Sequence, residues 1–560
     1  VRALLALGGL VALVGSARSQ QAGTMAGRSA VHAPHGVVAA SQPLASQAGL
    51  RVLQQGGNAV DAAVTALAVL GLVEPMMSGL GGDLFAILWS AREQRLFGLN
   101  ASGRAGALMT REELRRRGHQ RMPAAGVETV TVPGALSGWD ALLARFGTLS
   151  LAQAVAPAVR LAEAGFPVSP VIAREWAVFA EAVRSDSGGR ATFLLDGGRA
   201  PAAGEWFTNA GLAATLRTIA AEGAAAFYGG GLGRRVVERV RALGGFLTID
   251  DLQRHRAEWV DPIGVSFKGY RLWEIPPNGQ GIAALEMLKI LEPFDLAGMG
   301  HNSAPYLHHL IEAKKLAYAD LERYVGDPAH MRATPDQLLS ESFIASRRAR
   351  LDPARASAGP EAGELIATGN TTYLTAADAE GNMVSLIASL ASGFGSGVVV
   401  PGTGFALQNR GVGFSLEADR PNTVAPGRRP RHTIIPAFVT RIGPDGRDQP
   451  WLSYGVVGGA QQPQAHVQVL LNILLFGMDA QQALDAARFN HLARRSVGFE
   501  APISREVVAA LEALGHERLD TSRMLGGLQV FFGGGQVIMR RERGYVAGSE
   551  PRRDGLAAGY

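Results

Sequence analysis

Two periods of hydrophobic and polar positions run along this chain, and the switch between them falls near residue 370. Before it, apolar residues recur mostly at three and four spacing, which predicts helices. After a short strand-like run at Val37–Ala40, residues 44–53 read as an amphipathic helix and residues 59–72, rich in Ala, Val and Leu, as a second one. Residues 134–165 and 209–243 also carry helical spacing. NSAPYLHHLIEAKKLAYADLERY (302–324) predicts a further helix, with Asn302 or Ser303 as its N-cap. Within this half, LFAILW reads as a strand that follows the glycine-rich SGLGGDLF (78–85).

Past residue 370 the chain reads as short strands and tight turns: TTYLTAAD, the turn DAEGN, then MVSLIASL. A helix follows from Gln464 to Leu475, and LQVFFG and QVIMRR close the chain as strand-like runs. Helices before and strands after, with no Ser/Pro linker between them, predict one compact α+β unit rather than separate beads. DPARASAGPEAGELIATG (352–369) is the most loop-like stretch and is expected to be exposed to proteases.

Composition narrows the function classes. The chain has 560 residues, 47% apolar and 18% charged, with 54 basic against 49 acidic groups. Only Lys268, Lys289, Lys314 and Lys315 are lysines, so Arg carries the positive charge, scattered apart from short groups such as Arg115–Arg117. A nucleic-acid binder concentrates its cations on one face with aromatics between them, so no nucleic-acid partner is expected. The absence of cysteine excludes a thiol nucleophile, disulfides and sulfur-ligated zinc. The opening VRALLALGGLVALVGSARSQQ reads as a short secretory signal with cleavage near Ala17, which implies a periplasmic or secreted protein. If Met25 is the true start, residues 1–24 are upstream sequence and the protein is cytoplasmic. No stable membrane span is expected, because the apolar run from Ala3 to Val14 is too short.

Familiar catalytic motifs fail in turn. There is no phosphate-cradling G-x-x-x-x-G-K-[ST] loop, no H-E-x-x-H zinc helix and no G-x-S-x-G elbow. His308 and His309 lie one turn from Glu312, but adjacent histidines point to different faces, so ordinary helix positions are the expectation. The glycine turns SGLGGDLF and VVGGAQQPQ suit close backbone approach, either for packing or for donating N–H groups to an oxyanion.

What remains is GNTTYLTAADAEGNMVSLIASL (369–390). A threonine hydroxyl is a weak nucleophile without a base beside it. The residue's own α-amine, with a pKa of about 7.7–8.0, can be that base once the chain is cut before it. An internal Thr can make the cut itself: its Oγ attacks the preceding carbonyl, an N-to-O acyl shift follows, and water hydrolyses the ester. Asn370-Thr371 after a loop offers such a site, although paired threonines opening a strand also follow from β-propensity alone.

The chain resembles the γ-glutamyltransferases (glutathione hydrolases), self-processing members of the N-terminal nucleophile hydrolases. The resemblance is carried in order by GGNAVDAAV (56–64), EPMMSGLGGD (74–83), TVPGALSGW (131–139), GGFLTIDDL (244–252), IPPNGQGI (275–282), LAYADLERYVGDP (316–328) and SEPRRDGLAAGY (549–560). It implies a four-layer αββα sandwich formed jointly by two subunits of one precursor, a large one (25–370) and a small one (371–560), associated as a heterodimer. Cleavage would fall between Asn370 and Thr371, with Thr371 as nucleophile and base. Ser389 would orient it, and Gly458 and Gly459 would form the oxyanion hole. The partner would be a small-molecule amide, with no metal or organic cofactor.

The implied substrate pocket departs from the family pattern. The Arg that grips the acyl donor's α-carboxylate falls on Ser102 in LNASGRAGA (99–107), with Arg104 two residues on. The acid that pairs with the α-amino group falls near Gly413 in LQNRGVGF (407–414), and the paired serines become His432 and Thr433. The stretch from Phe414 to His432 is short and lacks the family's lid loop. Arg104, Asn409, Arg410, His432 and Thr433 are therefore the expected substrate contacts. The pattern resembles the subgroup with oxamate amidohydrolase and glutaryl-type cephalosporin acylases. An inactive binding relative is the rival reading, and the retained Thr371, Ser389, Gly458 and Gly459 count against it.

Overall fold

The computed structural model describes residues 27–359, 370–522 and 529–560. The expected signal or upstream segment, residues 1–24, therefore lies outside the described residues, as does 360–369 of the expected loop. Two seven-stranded sheets stack face to face, every neighbouring pair antiparallel. The first runs Leu556–Gly559, Val37–Ala40, Asn370–Ala377, Met383–Ala391, Asp83–Ser90, Arg95–Ala101, Glu258–Val260. The second runs Val31–Ala33, Tyr545–Ser549, Gly534–Arg540, Asp448–Val457, Ala437–Ile442, Tyr270–Glu274, Ile263–Phe267. Both sequence halves thus supply strands to both sheets, so the change of pattern near residue 370 divides the sequence and not the space.

Strand alternation explains the layers. Leu84, Ala86, Leu88, Leu374, Ala376 and Leu386 face a core that includes the helices Pro43–Gln54 and Ala59–Val73. Phe85, Ile87, Trp89, Tyr373, Ile387 and Val457 face the other sheet instead. A third core joins the second sheet to the helices Gly281–Leu291, Ala304–Tyr324 and Gln462–Phe476. The order helix, sheet, sheet, helix follows from strands buried on both faces, which leave no surface for water.

Local signals set the helix ends. Asn58 and Asp61 form a reciprocal capping box on Ala59–Val73, whose residues are nearly all buried, matching its all-round apolar sequence. Ser303, not Asn302, caps Ala304–Tyr324 by accepting from the Tyr306 N–H. The helical stretch expected over 134–165 is two helices, Ala135–Phe146 and Leu151–Ala164, because Ser150 starts a new capping box after Gly147. The stretch 209–243 likewise divides into Ala210–Glu222 and Gly231–Ala242, with Gly223 at φ +73° ending the first. One expectation is overturned: LQVFFG is no strand, and Gln529–Phe532 forms a 3-10 turn. Its carbonyls are taken by side chains rather than a ladder: Asn490 Nδ2 donates to Phe531 O and Arg488 Nη1 to Phe532 O.

Candidate functional site

Asn370 and Thr371 open a strand at the centre of the first sheet, and the chain runs on through them. A bulge falls between these two residues, where the register on Met383–Ala391 slips from Asn370↔Ala391 to Thr371↔Ser389. Bulges re-aim a side chain and interrupt pairing, and here the peptide bond concerned is the expected cleavage point. Thr371 is buried, and its Oγ1 donates to Ser389 Oγ at 3.3 Å. Ser389 Oγ donates in turn to the Asn370 carbonyl oxygen at 2.8 Å and accepts the Ala391 N–H at 2.8 Å. One hydroxyl therefore touches both the attacking oxygen and the carbonyl to be attacked.

The next residue points the other way. Thr372 Oγ1 donates to Glu74 Oε2, which also takes Ser41 Oγ, at the C-terminal end of Ala59–Val73. Burial raises the Glu74 carboxyl above its ordinary range, with Arg553 opposing. Thr371 and Thr372 are thus separated by strand alternation: one faces the space between the sheets, the other anchors the strand to the helix layer.

The glycine pair follows the strand Asp448–Val457, which packs across the two sheets on the strand that carries Thr371. Thr375 Oγ1 and Ser453 Oγ lie 2.6 Å apart, and a β-carbon on Gly455 would strike the Tyr373 ring. Continuing that two-residue step sets Thr371 level with Val457, immediately before Gly458. Gly458 has φ +130° and Gly459 φ +62°, conformations that L side chains rarely adopt. Gln280 fixes the turn by donating to Gly459 O at 2.8 Å and to Thr433 O at 2.6 Å. Tyr318 holds it from the helix side through a hydroxyl hydrogen bond to Ala460 O.

A charged group lies in the same transverse row. Thr371 pairs with Ser389 and Ser389 with Asp83, so the three share one face of the sheet. At a strand spacing of about 4.8 Å, the Asp83 backbone stands roughly 10 Å from that of Thr371. Asp83 accepts the Gly103 N–H on Oδ1, and on Oδ2 it meets His432 Nε2 at 3.1 Å and Arg410 Nε at 3.6 Å. Burial alone would raise the Asp83 carboxyl, but hydrogen bonding and charge from His432, and the charge of Arg410, hold it below its usual range. Burial pushes Arg410 down to about 10 against the pull of Asp83, and lowers His432, so the pair is ionised beside a neutral imidazole.

Arg410 is fully buried, yet only Nη1 has an acceptor, Thr433 Oγ1 at 3.1 Å; Nε and Nη2 have no hydrogen-bond partner among the described residues. Arg410, His432 and Thr433 therefore converge around Asp83, at the far end of the row from Thr371. Two other expected contacts stand differently. Arg104 reaches outward, 39% exposed, to Glu258 at 3.0 Å and Asp327 at 3.5 Å. Asn409 spends its amide on the loop itself, bonding Ala124 O, Ser392 Oγ and Ser392 N. Ser102 is buried against Asn100 and Asn278, and Asn278 Nδ2 also reaches His432 Nδ1 at 3.1 Å. A side chain at Gly413 would collide with the Arg431 carbonyl, so the backbone itself leaves no room for an acid there.

Sequence reasoning passed over Asp83 and Gln280, although both lie in the quoted segments EPMMSGLGGD and IPPNGQGI. His308, His309 and Glu312, one turn apart, were expected to be ordinary helix positions. The structure adds His516 from 208 residues away, bringing His308, Glu312 and His516 within 4.8 Å. Most of their polar atoms are already committed, however: His308 lies 2.8 Å from both His516 and the Asp352 carbonyl, and Glu312 accepts from Lys315 and Ser357, leaving only His516 Nδ1 without a partner among the described residues.

The gamma-glutamyltranspeptidase family model matches residues 45–560. The chain is 36% identical over 525 residues to the glutathione hydrolase-like YwrD proenzyme of Bacillus subtilis (strain 168), covering 92% of this chain and 97% of that protein. It is 35% identical over 540 residues to the oxamate amidohydrolase proenzyme of Klebsiella pneumoniae (94% and 98% covered). Among solved structures, the cephalosporin acylase from Bacillus halodurans superposes with a TM-score of 0.88 at 42% identity, over 97% of this chain and 99% of that one. The central strand opening on Thr371, the double sheet around it and these likenesses agree: the chain belongs to the gamma-glutamyltranspeptidase family of N-terminal nucleophile hydrolases.

Proposed function

We propose that this chain is the precursor of an amide hydrolase that cuts itself between Asn370 and Thr371 and then acts on amides whose acyl half ends in a carboxylate. Ser389 polarises the Asn370 carbonyl and orients the Thr371 hydroxyl, so attack gives an ester that water opens. Residues 25–370 and 371–560 then remain together as a heterodimer, because each sheet takes strands from both. The freed α-amine of Thr371 takes the proton of its own hydroxyl as that oxygen attacks the substrate amide. Gly458 and Gly459 supply backbone N–H groups toward the oxyanion. The amine leaves, and water, or another amine, takes the acyl group.

The acyl preference rests on one observation: Arg410, wholly buried, stands beside Asp83 at the end of the Thr371 row, with Nη2 lacking an acceptor and Nε no nearer than 3.6 Å to Asp83. A buried guanidinium with vacant donors is matched by a carboxylate. Among the described residues the acid of this row, Asp83, is held by His432, Arg410 and Gly103, and position 413 is closed, so neither is free to take an α-ammonium. This favours an oxamate- or glutaryl-type acyl group over γ-glutamyl. The test compares processed enzyme on a glutaryl anilide, its γ-glutamyl counterpart and oxamate. Faster turnover of the des-amino compounds is expected; a marked γ-glutamyl preference overturns the reading.

A further inference from the structure

Beside the helix Ala304–Tyr324 lies a cleft of about 610 Å³, walled by side chains of that helix together with Arg347, Arg350, residues 357–359, Arg420 and residues 491–494. Seven of its lining residues are Lys or Arg and one is an acid, Glu322, which is bound to Arg431 at 2.6 Å. Three of the cations are neutralised by acids: Lys315 by Glu312, Arg347 by Asp320 and Arg420 by Glu417. The other four, Lys314, Arg323, Arg350 and Arg494, have no ion-pair partner among the described residues. An uncompensated group of like charges is costly to hold together unless an anion joins it.

The floor is built for a ligand rather than for solvent. Lys314 is 1% exposed; its ammonium donates to His491 Nδ1 at 2.9 Å and to Leu492 O at 3.3 Å, and lies 3.9 Å from the centre of the Tyr318 ring. Two of its three N–H groups therefore have acceptors, and no carboxylate lies within ion-pair distance, Glu322 acting only through its charge from farther off. His491 is fixed in that role because its Nε2 is bonded to the Arg494 carbonyl at 3.0 Å. Burial, with the charge of Lys315, drives Lys314 well below its ordinary pKa, a cost that an entering anion would remove.

We propose that this cleft binds a compact organic polyanion, with Lys314 at its floor and Arg323, Arg350 and Arg494 around its mouth. The volume is that of a small-molecule site. The cleft shares Tyr318 with the glycine turn, since the ring lies under Lys314 and the hydroxyl holds Ala460 O, one residue past Gly459. Two sources supply such chemistry: an acidic amine half of an amide substrate, or a free di- or tricarboxylate.

The test uses processed wild-type enzyme, with citrate as probe and chloride at matched ionic strength as control. Citrate is expected to raise the melting temperature saturably. The double variant R350A/R494A, which alters only exposed side chains, should weaken citrate binding at least tenfold while keeping its melting temperature in chloride. Citrate acting no differently from chloride, or binding equally to the double variant, overturns the proposal. This arm is independent of which acyl group the enzyme prefers. A second arm compares two anilides with the same acyl group, one bearing a carboxylate on the aniline. A KM raised tenfold by the double variant for the carboxylated anilide alone assigns the cleft to the amine half; unchanged KM values with citrate binding lost assign it to a free polyanion. The chain beyond Gly359 carries Glu361 and Glu364. Citrate binding that emerges only in E361Q/E364Q shows the protein's own acids to be the anion and overturns an external ligand.

Discussion

Ser389 Oγ stands 3.3 Å from Thr371 Oγ1 and 2.8 Å from the carbonyl oxygen of Asn370, so a single hydroxyl bridges the two partners of the cleavage step. Ser389→Ala removes both contacts and is expected to slow self-cleavage by about 10²–10³, the usual effect of losing one well-placed donor to a developing oxyanion. Ser389→Thr keeps the oxygen and should cleave nearly normally. Intact mass against time decides it; full cleavage of Ser389→Ala at the parent rate refutes the role.

Gly458 carries φ +130°, and a β-carbon there would sit 3.2 Å from both Gln461 Cβ and Gly533 Cα. Gly458→Ala should cost about 1–3 kcal/mol of stability and shift the turn. The expected signature is a fall in kcat of one to two orders of magnitude with the two-chain enzyme still assembled. A variant with parental kcat would show that this turn does not face the reaction.

Arg410 is predicted to set acyl preference. Truncating one member of a buried, hydrogen-bonded charge pair costs about 2–5 kcal/mol, so Arg410→Gln should lower kcat/KM for carboxylated acyl groups by ~30-fold or more. Part of that loss comes from leaving Asp83 unpaired, so the informative quantity is the ratio of acidic to neutral acyl substrates. The ratio should collapse in Arg410→Gln and recover partly in Arg410→Lys. A preserved ratio places the carboxylate elsewhere.

Acid stability has a readable sign at His516. Burial, with the neighbouring charges of Lys315 and His308, drives its pKa down to about 3. The unfolded chain takes that proton near pH 6.5, which the folded chain refuses, so this residue destabilises progressively from pH 6.5 downward. In urea unfolding, His516→Gln should gain on the parent by about 1.4 kcal/mol per pH unit below 6.5. A stability difference that does not change with pH between 6.5 and 4.5 contradicts it.

The strand runs TTYLTAAD and MVSLIASL and the helix over 304–324 were legible because each has a local cause, Ser303 capping its helix from within three residues. The caps at Asn58 and Ser150 were passed over, so 134–165 read as one helical stretch, and the four layers came from the family resemblance. LQVFFG was misread because its apolar run satisfies a strand pattern, whereas Asn490 and Arg488, distant in sequence, claim its carbonyls. Arg104 was named for its place two residues past Ser102, and the folded chain pairs its guanidinium with Glu258 and Asp327, partners that lie far off in sequence.

By itself the sequence determined that Asn370-Thr371 opens a strand after a loop, and that glycines at 458 and 459 permit a turn closed to other residues. Those are properties of neighbours along the chain and of backbone freedom. Only the tertiary structure decided which hydroxyl bridges Thr371 to its own carbonyl and which cation waits in the same row. Register across three strands sets Thr371, Ser389 and Asp83 side by side, and burial leaves Arg410 Nη2 without an acceptor among the described residues. Pairing over long sequence separations carries no local signature, so the row could be read only once the sheet was assembled.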